Sequence, residues 1–151
     1  MTKSSFWQNI GVKNYEILKK SDSLSVFQNW KNVYCPSLDI KLRSGYAWEK
    51  IVGIANLEEA MEVYSQHSSI YYYVLSEPKK SFIEVGLTKE KPCYVGSYRY
   101  DFYVFPKNLA WCMCFTHEDG WLGPTFAKHP SYEKLQKKNL EAIAAIKRGY
   151  V

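Results

Sequence analysis

No apolar run in this chain approaches the roughly 18 consecutive residues that a membrane-spanning helix needs. The opening stretch MTKSSFWQNIGVKN likewise lacks the apolar region of a secretory signal. The expectation is a cytoplasmic protein with no membrane partner. Glycine is sparse: the 8 glycines fall singly along 151 residues, which excludes a glycine-rich phosphate loop, a Walker sequence and a dinucleotide fingerprint. No cofactor is therefore expected. The cysteines Cys35, Cys93, Cys112 and Cys114 are even in number but contain no CxxC pair. Without a secretory signal they read as reduced thiols rather than a disulfide framework. Repeats, low-complexity segments and long flexible linkers are also missing.

What is present fits one α+β domain spanning 1–151, because this length matches the commonest size for a single core. Hydrophobic residues at 46% and charged residues at 23% give an ordinary globular balance, enough to bury a real core. Aromatics are in surplus at 17%, with 13 tyrosines. Tyrosine brings apolar area while keeping a hydroxyl for water or a partner, so this composition suits contact surfaces as well as cores. Most of the net charge of +5 sits at the end of the chain. From Lys128 onward, Lys128, Lys134, Lys137, Lys138, Lys147 and Arg148 outweigh Glu133 and Glu141, leaving +4. A basic terminal helix can meet nucleic acid, anionic lipid or an acidic partner, but solvated lysines on an exposed face are the commoner meaning.

Periodicity places the elements. Val26, Phe27, Trp30, Val33 and Tyr34 follow helical spacing over 24–34, with Cys35-Pro36 ending the helix. A second helix is expected at 57–66, where Asn56 can cap, Glu59 stands three residues on, and Leu57, Ala60, Met61 and Tyr64 form a stripe. Residues 39–53 suit either an extended segment or a short helix. Strands are expected at 70–75 and 82–87, joined by a turn at Pro78-Lys79-Lys80. Two more, at 98–105 and 109–116, flank Pro106-Lys107-Asn108, where asparagine tolerates the left-handed conformation a three-residue loop needs.

In the second of these strands, Leu109, Trp111, Met113 and Phe115 alternate with Ala110, Cys112, Cys114 and Thr116. One face is bulky and the other small, the pattern of a central strand approached closely by a helix. Residues 121–127, broken by Gly123-Pro124, suggest a kinked edge strand, and 131–148 a long final helix. The predicted fold is an antiparallel sheet of about four to six strands over 70–127, with helices before it and a long C-terminal helix after it.

Three constellations could carry chemistry. His117, Glu118 and Asp119 put an imidazole beside two carboxylates at a strand end, where a hydrolase or nuclease would present a general base. Adjacent residues of an extended chain point apart, however, and Gly120 makes the same residues a polar turn. Cys112-x-Cys114-x-x-His117 offers thiols on one strand face but lacks the second ligand pair of a zinc site, so no metal is expected. Tyr71, Tyr72, Tyr73, Tyr94, Tyr98, Tyr100 and Tyr103 with Arg99 could stack nucleic-acid bases. Protein contact is favoured over nucleic acid, because Tyr, Trp and Arg concentrate at interface centres. Arg99, Tyr103, Trp111, His117, Glu118 and Trp121 are the candidate contact residues.

Some of these residues carry a resemblance. Asp101-x-Tyr103-Val104 leading into Trp111, then Thr116-His117-Glu118 and Gly123-Pro124-x-Phe126, together with Tyr46-x-Trp48 and the helix holding Glu59-Ala60, resemble the bacterial family known as domain of unknown function 4275. The likeness covers 46–126 and assigns no role to Cys112 or Cys114. It implies a small bacterial protein but no particular activity. By analogy of architecture and composition, such proteins look like immunity proteins that neutralise a cognate toxin by occlusion. A basic chain would then face a neutral or acidic toxin surface. The expected function is non-enzymatic protein binding, and the alternative is a small hydrolase or nuclease using His117 with Glu118 or Asp119.

Overall fold

The structure, a computed structural model, describes residues 3–41, 45–93, 100–117 and 123–149. Six strands form one sheet: β1 (Glu16–Ile17), β2 (Tyr72–Ser76), β3 (Val85–Thr88), β4 (Phe102–Phe105), β5 (Trp111–Phe115) and β6 (Thr125–Lys128). Their order is β1-β3-β2-β4-β5-β6, and every neighbouring pair is antiparallel. Helices α1 (Lys3–Asn9), α2 (Lys20–Tyr34) and α3 (Leu57–Ser65) precede the main strands, and α4 (Tyr132–Lys147) follows them. The chain is thus α+β, with the long C-terminal helix where the sequence put it. Among the described residues, no helix is long and apolar enough to cross a membrane.

Both faces of the sheet are covered, which the alternation in β5 explains. Trp111, Met113 and Phe115 share one buried layer with Trp7 of α1, Ala60 and Tyr64 of α3, and Tyr132 and Leu135 of α4. Cys112 and Cys114 lie in the opposite layer beneath Phe27, Trp30 and Tyr34 of α2. Because those two side chains are small, the Trp30 indole comes down onto the strand, its Nε1–H donating to Cys112 Sγ at 3.3 Å. Tyr34 pins the end of the same helix by donating to the Leu109 carbonyl at 2.7 Å.

The local signals act through identifiable bonds. Asn56 caps α3, its Oδ1 accepting from the Glu59 N–H at 3.1 Å. In the β4–β5 hairpin the left-handed residue is Leu109, at φ 63°, rather than Asn108. Asn108 instead fixes the turn with its amide, accepting from the Ala110 N–H and donating to the Leu135 carbonyl of α4. The kink at Leu109 breaks the expected alternation. Leu109 packs with the α2 layer, while Ala110 joins Trp111 in the other.

Two short elements were not anticipated from periodicity: α1, with 7 residues, and β1, with 2. They hold together through β3. A Cβ on Gly86 would lie 2.3 Å from Trp7 Cζ2, so only glycine lets the α1 tryptophan approach that strand so closely. Residues 39–53, left open between two conformations, contain a 3₁₀ turn at Ala47–Lys50. The turn after β2 closes between Lys79 and Phe82, which exchange both backbone hydrogen bonds, one residue later than the expected 78–80.

Candidate functional site

The 3₁₀ turn and the ends of β2, β4 and β5 meet at one end of the sheet. Glu77 follows β2 directly, and Pro78 after it favours extended backbone there. Its N–H donates to the Asp101 carbonyl at 3.1 Å, holding the segments leading out of β2 and into β4 side by side. Asp101 is the hub. Its Oδ1 accepts from the His117 backbone N–H at 3.1 Å and from Trp48 Nε1–H at 3.1 Å, while His117 Nδ1 lies 2.9 and 3.0 Å from its two oxygens. One carboxylate thereby ties the start of β4, the end of β5 and the 3₁₀ turn together.

Tyr46 completes the cluster. Its ring stacks on Trp48 with centroids 5.8 Å apart and meets His117 edge-on at 5.0 Å. Behind these rings, Glu77 accepts from Tyr103 O–H at 2.5 Å and from the Ala47 N–H at 3.0 Å. Burial is the main reason the Glu77 carboxyl is pushed up to about 7, with nearby Asp101 adding to the rise. The two hydrogen bonds and the Lys79 charge oppose it without winning. A carboxyl pushed up toward neutrality, with an imidazole oriented by Asp101 two strands away, marks this end as the candidate site.

Two shallow depressions open here, of about 370 and about 300 Å³, sharing Tyr46, Glu77 and Lys79. They fall at the small end of the range for small-molecule sites, about 300–1,000 Å³. The second is also lined by Phe6, Phe82, Tyr100 and Asp101. Tyr46 and Phe82 stand well out of the surface, 39% and 44% exposed. Phe6 and Tyr100 brace each other edge-on at 5.1 Å.

The candidate contact residues fare differently. His117 belongs to the site, with its partly exposed side chain paired to Asp101. Tyr103 and Trp111 do not present a surface: both are fully buried. Each lies on a strand covered on both faces, so Tyr103 serves from beneath through Glu77 and Trp111 fills the core. Arg99, Glu118, Asp119 and Trp121 lie outside the described residues, as do Tyr94 and Tyr98. Among the described residues, Asp101, 16 residues earlier, supplies a carboxylate to His117.

Of the described tyrosines, Tyr72 and Tyr103 are buried and Tyr71 lies under the ammonium groups of Lys89 and Lys107, so these three offer no open stacking platform. The other histidines have structural partners. His67 Nδ1–H donates to the Val63 carbonyl and Nε2 accepts from Tyr132 O–H, joining α3 to α4. His129 Nδ1 accepts from the Ser131 N–H at the start of α4. All four cysteines are free thiols. Among the described residues, no group of three or more His, Cys, Asp or Glu side chains is placed to hold a metal ion.

Reasoning along the sequence missed Glu77, Asp101, Tyr46 and Phe82 as site residues. One signal was available: Tyr46-x-Trp48, Asp101-x-Tyr103 and Thr116-His117, distant in sequence, supply most of the cluster. No protein-family model, curated protein or solved structure matches the chain.

Proposed function

We propose that this chain is a non-enzymatic bacterial binding protein, and that it neutralises a cognate toxin in the cytoplasm by covering it with the aromatic-rimmed end of the sheet. One observation carries the binding reading: Tyr46, exposed and stacked on Trp48, is held over a hydrogen-bonded floor of Asp101, Glu77 and His117. A pre-organised aromatic anchor loses little entropy on docking, and such anchors dominate interface energetics. The toxin identity of the partner follows from the analogy with immunity proteins. Its test is stoichiometric complex formation between the purified chain and the product of the neighbouring gene, with protection from that product's toxicity. Failure to form a complex counts against the toxin reading.

A second reading, a small hydrolase or nuclease, is favoured by the Asp101–His117 pair, which orients the imidazole as a general base would require. Glu77 would be its proton donor. Ser76 lines one of the depressions and no Cys lines either, so the attacking group would be the Ser76 hydroxyl or water. Turnover of ester or nucleic-acid substrates that disappears in His117→Gln with the fold intact would establish it. Equal background rates in both proteins would dismiss it.

A further inference from the structure

The depression beside Tyr46 combines two features that favour one class of ligand. Its walls are aromatic, from Phe6, Tyr46, Phe82 and Tyr100, and its lining includes the carboxylates of Glu77 and Asp101. Aromatic faces carry negative electrostatic potential and attract cations, most strongly where water is excluded. Carboxylates at the same place supply charge-assisted hydrogen bonds. Both features select positive charge.

The chain's own cation at this position discriminates between kinds of positive group. Lys79 lines both depressions, yet among the described residues its ammonium makes no ion pair with either carboxylate. A strongly hydrated ammonium on a flexible stem gains little here. A guanidinium is planar and more weakly hydrated, stacks on Tyr or Phe, and donates in parallel to a carboxylate. We infer that this depression is a receptor for an arginine side chain, presented by the protein partner and stacked against Tyr46 or Phe82 while it pairs with Glu77.

This rests on the binding reading above and gives it a partner chemistry. It also revises the expectation drawn from net charge. The +5 is concentrated at the far end of the sequence, whereas this face sets the Glu77 and Asp101 carboxylates and four aromatic rings against Lys79 and Lys80, so an arginine from a basic partner surface can be accommodated. Ionised Glu77 is the form that binds, and arginine affinity rises with pH as that carboxyl loses its proton.

The probe is N-acetyl-arginine amide, titrated into ¹⁵N-labelled protein while the Trp48 indole N–H resonance is followed. Acetyl-citrulline amide, isosteric and neutral, and acetyl-lysine amide are the controls. The expected result is a saturable shift with arginine that is about tenfold weaker with either control. Glu77→Gln should weaken arginine binding about tenfold and Lys79→Gln strengthen it about threefold, in proteins whose remaining resonances are unmoved. Equal effects of arginine and citrulline, no saturable shift, or a shift mapping elsewhere would overturn the proposal. With the partner in hand, a complex lost in Tyr46→Ala but insensitive to Glu77→Gln would keep the interface and discard the arginine. A complex insensitive to both would discard both.

Discussion

Replacing Glu77 with Gln removes a proton-binding group while keeping its shape, so its effect on stability must depend on pH. In the folded chain burial raises the carboxyl from 4.5 to about 7. The folded state therefore holds a proton over a window where the unfolded state has released it. Stability from this group is fully present below the unfolded value and is lost as pH rises through the folded one. At about 1.4 kcal/mol per pH unit the complete loss is about 3 kcal/mol. Most of it is lost between about pH 5 and about pH 8.

His67 works in the opposite direction. Burial lowers it from 6.5, so its contribution is lost as pH falls. It is present in both proteins and cancels from their difference. Urea denaturation of wild type and Glu77→Gln across this range is the assay. The variant should gain about 3 kcal/mol relative to wild type from the acid to the alkaline end, whatever the fixed cost of its imperfect contact with Ala47. A difference that stays flat, or that moves the other way, would refute the account of Glu77 as a buried, proton-holding carboxyl.

Gly86→Ala should cost about 2 kcal/mol by driving Trp7 off β3, because the added Cβ would lie 2.3 Å from Cζ2; urea denaturation and Trp fluorescence report the loss of α1 docking. Cys112→Leu should destabilise by about 2 kcal/mol, since Trp30 already contacts the sulfur; an unchanged denaturation midpoint would mean that α2 can lift freely. Asn56→Ala should cost about 1 kcal/mol through loss of the α3 cap, while Asn56→Asp should retain most of it, as urea denaturation would show.

Where information is local, the sequence was readable. The Asn56–Glu59 cap and the large–small alternation of β5 each depend on residues within one turn or one strand, and both signals have structural counterparts. Leu109 shows how a local rule can point to the right turn and the wrong residue. Asparagine tolerates a left-handed backbone, but the Asn108 side chain was needed for the Ala110 N–H and the Leu135 carbonyl. The short α1 and β1 are held by Trp7 lying on Gly86, a contact across the chain that no periodicity reveals.

The site is non-local throughout. Glu77 looks unremarkable beside Pro78, and only burial together with Tyr103 and Ala47 makes it a candidate acid or ligand. His117 was legible as chemistry, but its pairing with Asp101 was not. Antiparallel pairing sets the start of β4 beside the end of β5, with Phe102 opposite Phe115, and so brings Asp101 to His117.

The central claim is that the aromatic-rimmed end of the sheet is a protein-binding surface. Its most direct measurement is the affinity of wild type and Tyr46→Ala for the neighbouring gene product by titration calorimetry, with circular dichroism confirming that both remain folded. The account predicts a stoichiometric wild-type complex weakened by about 2 kcal/mol in Tyr46→Ala, or about thirtyfold in Kd. No complex, or one of equal affinity with the variant, would contradict it.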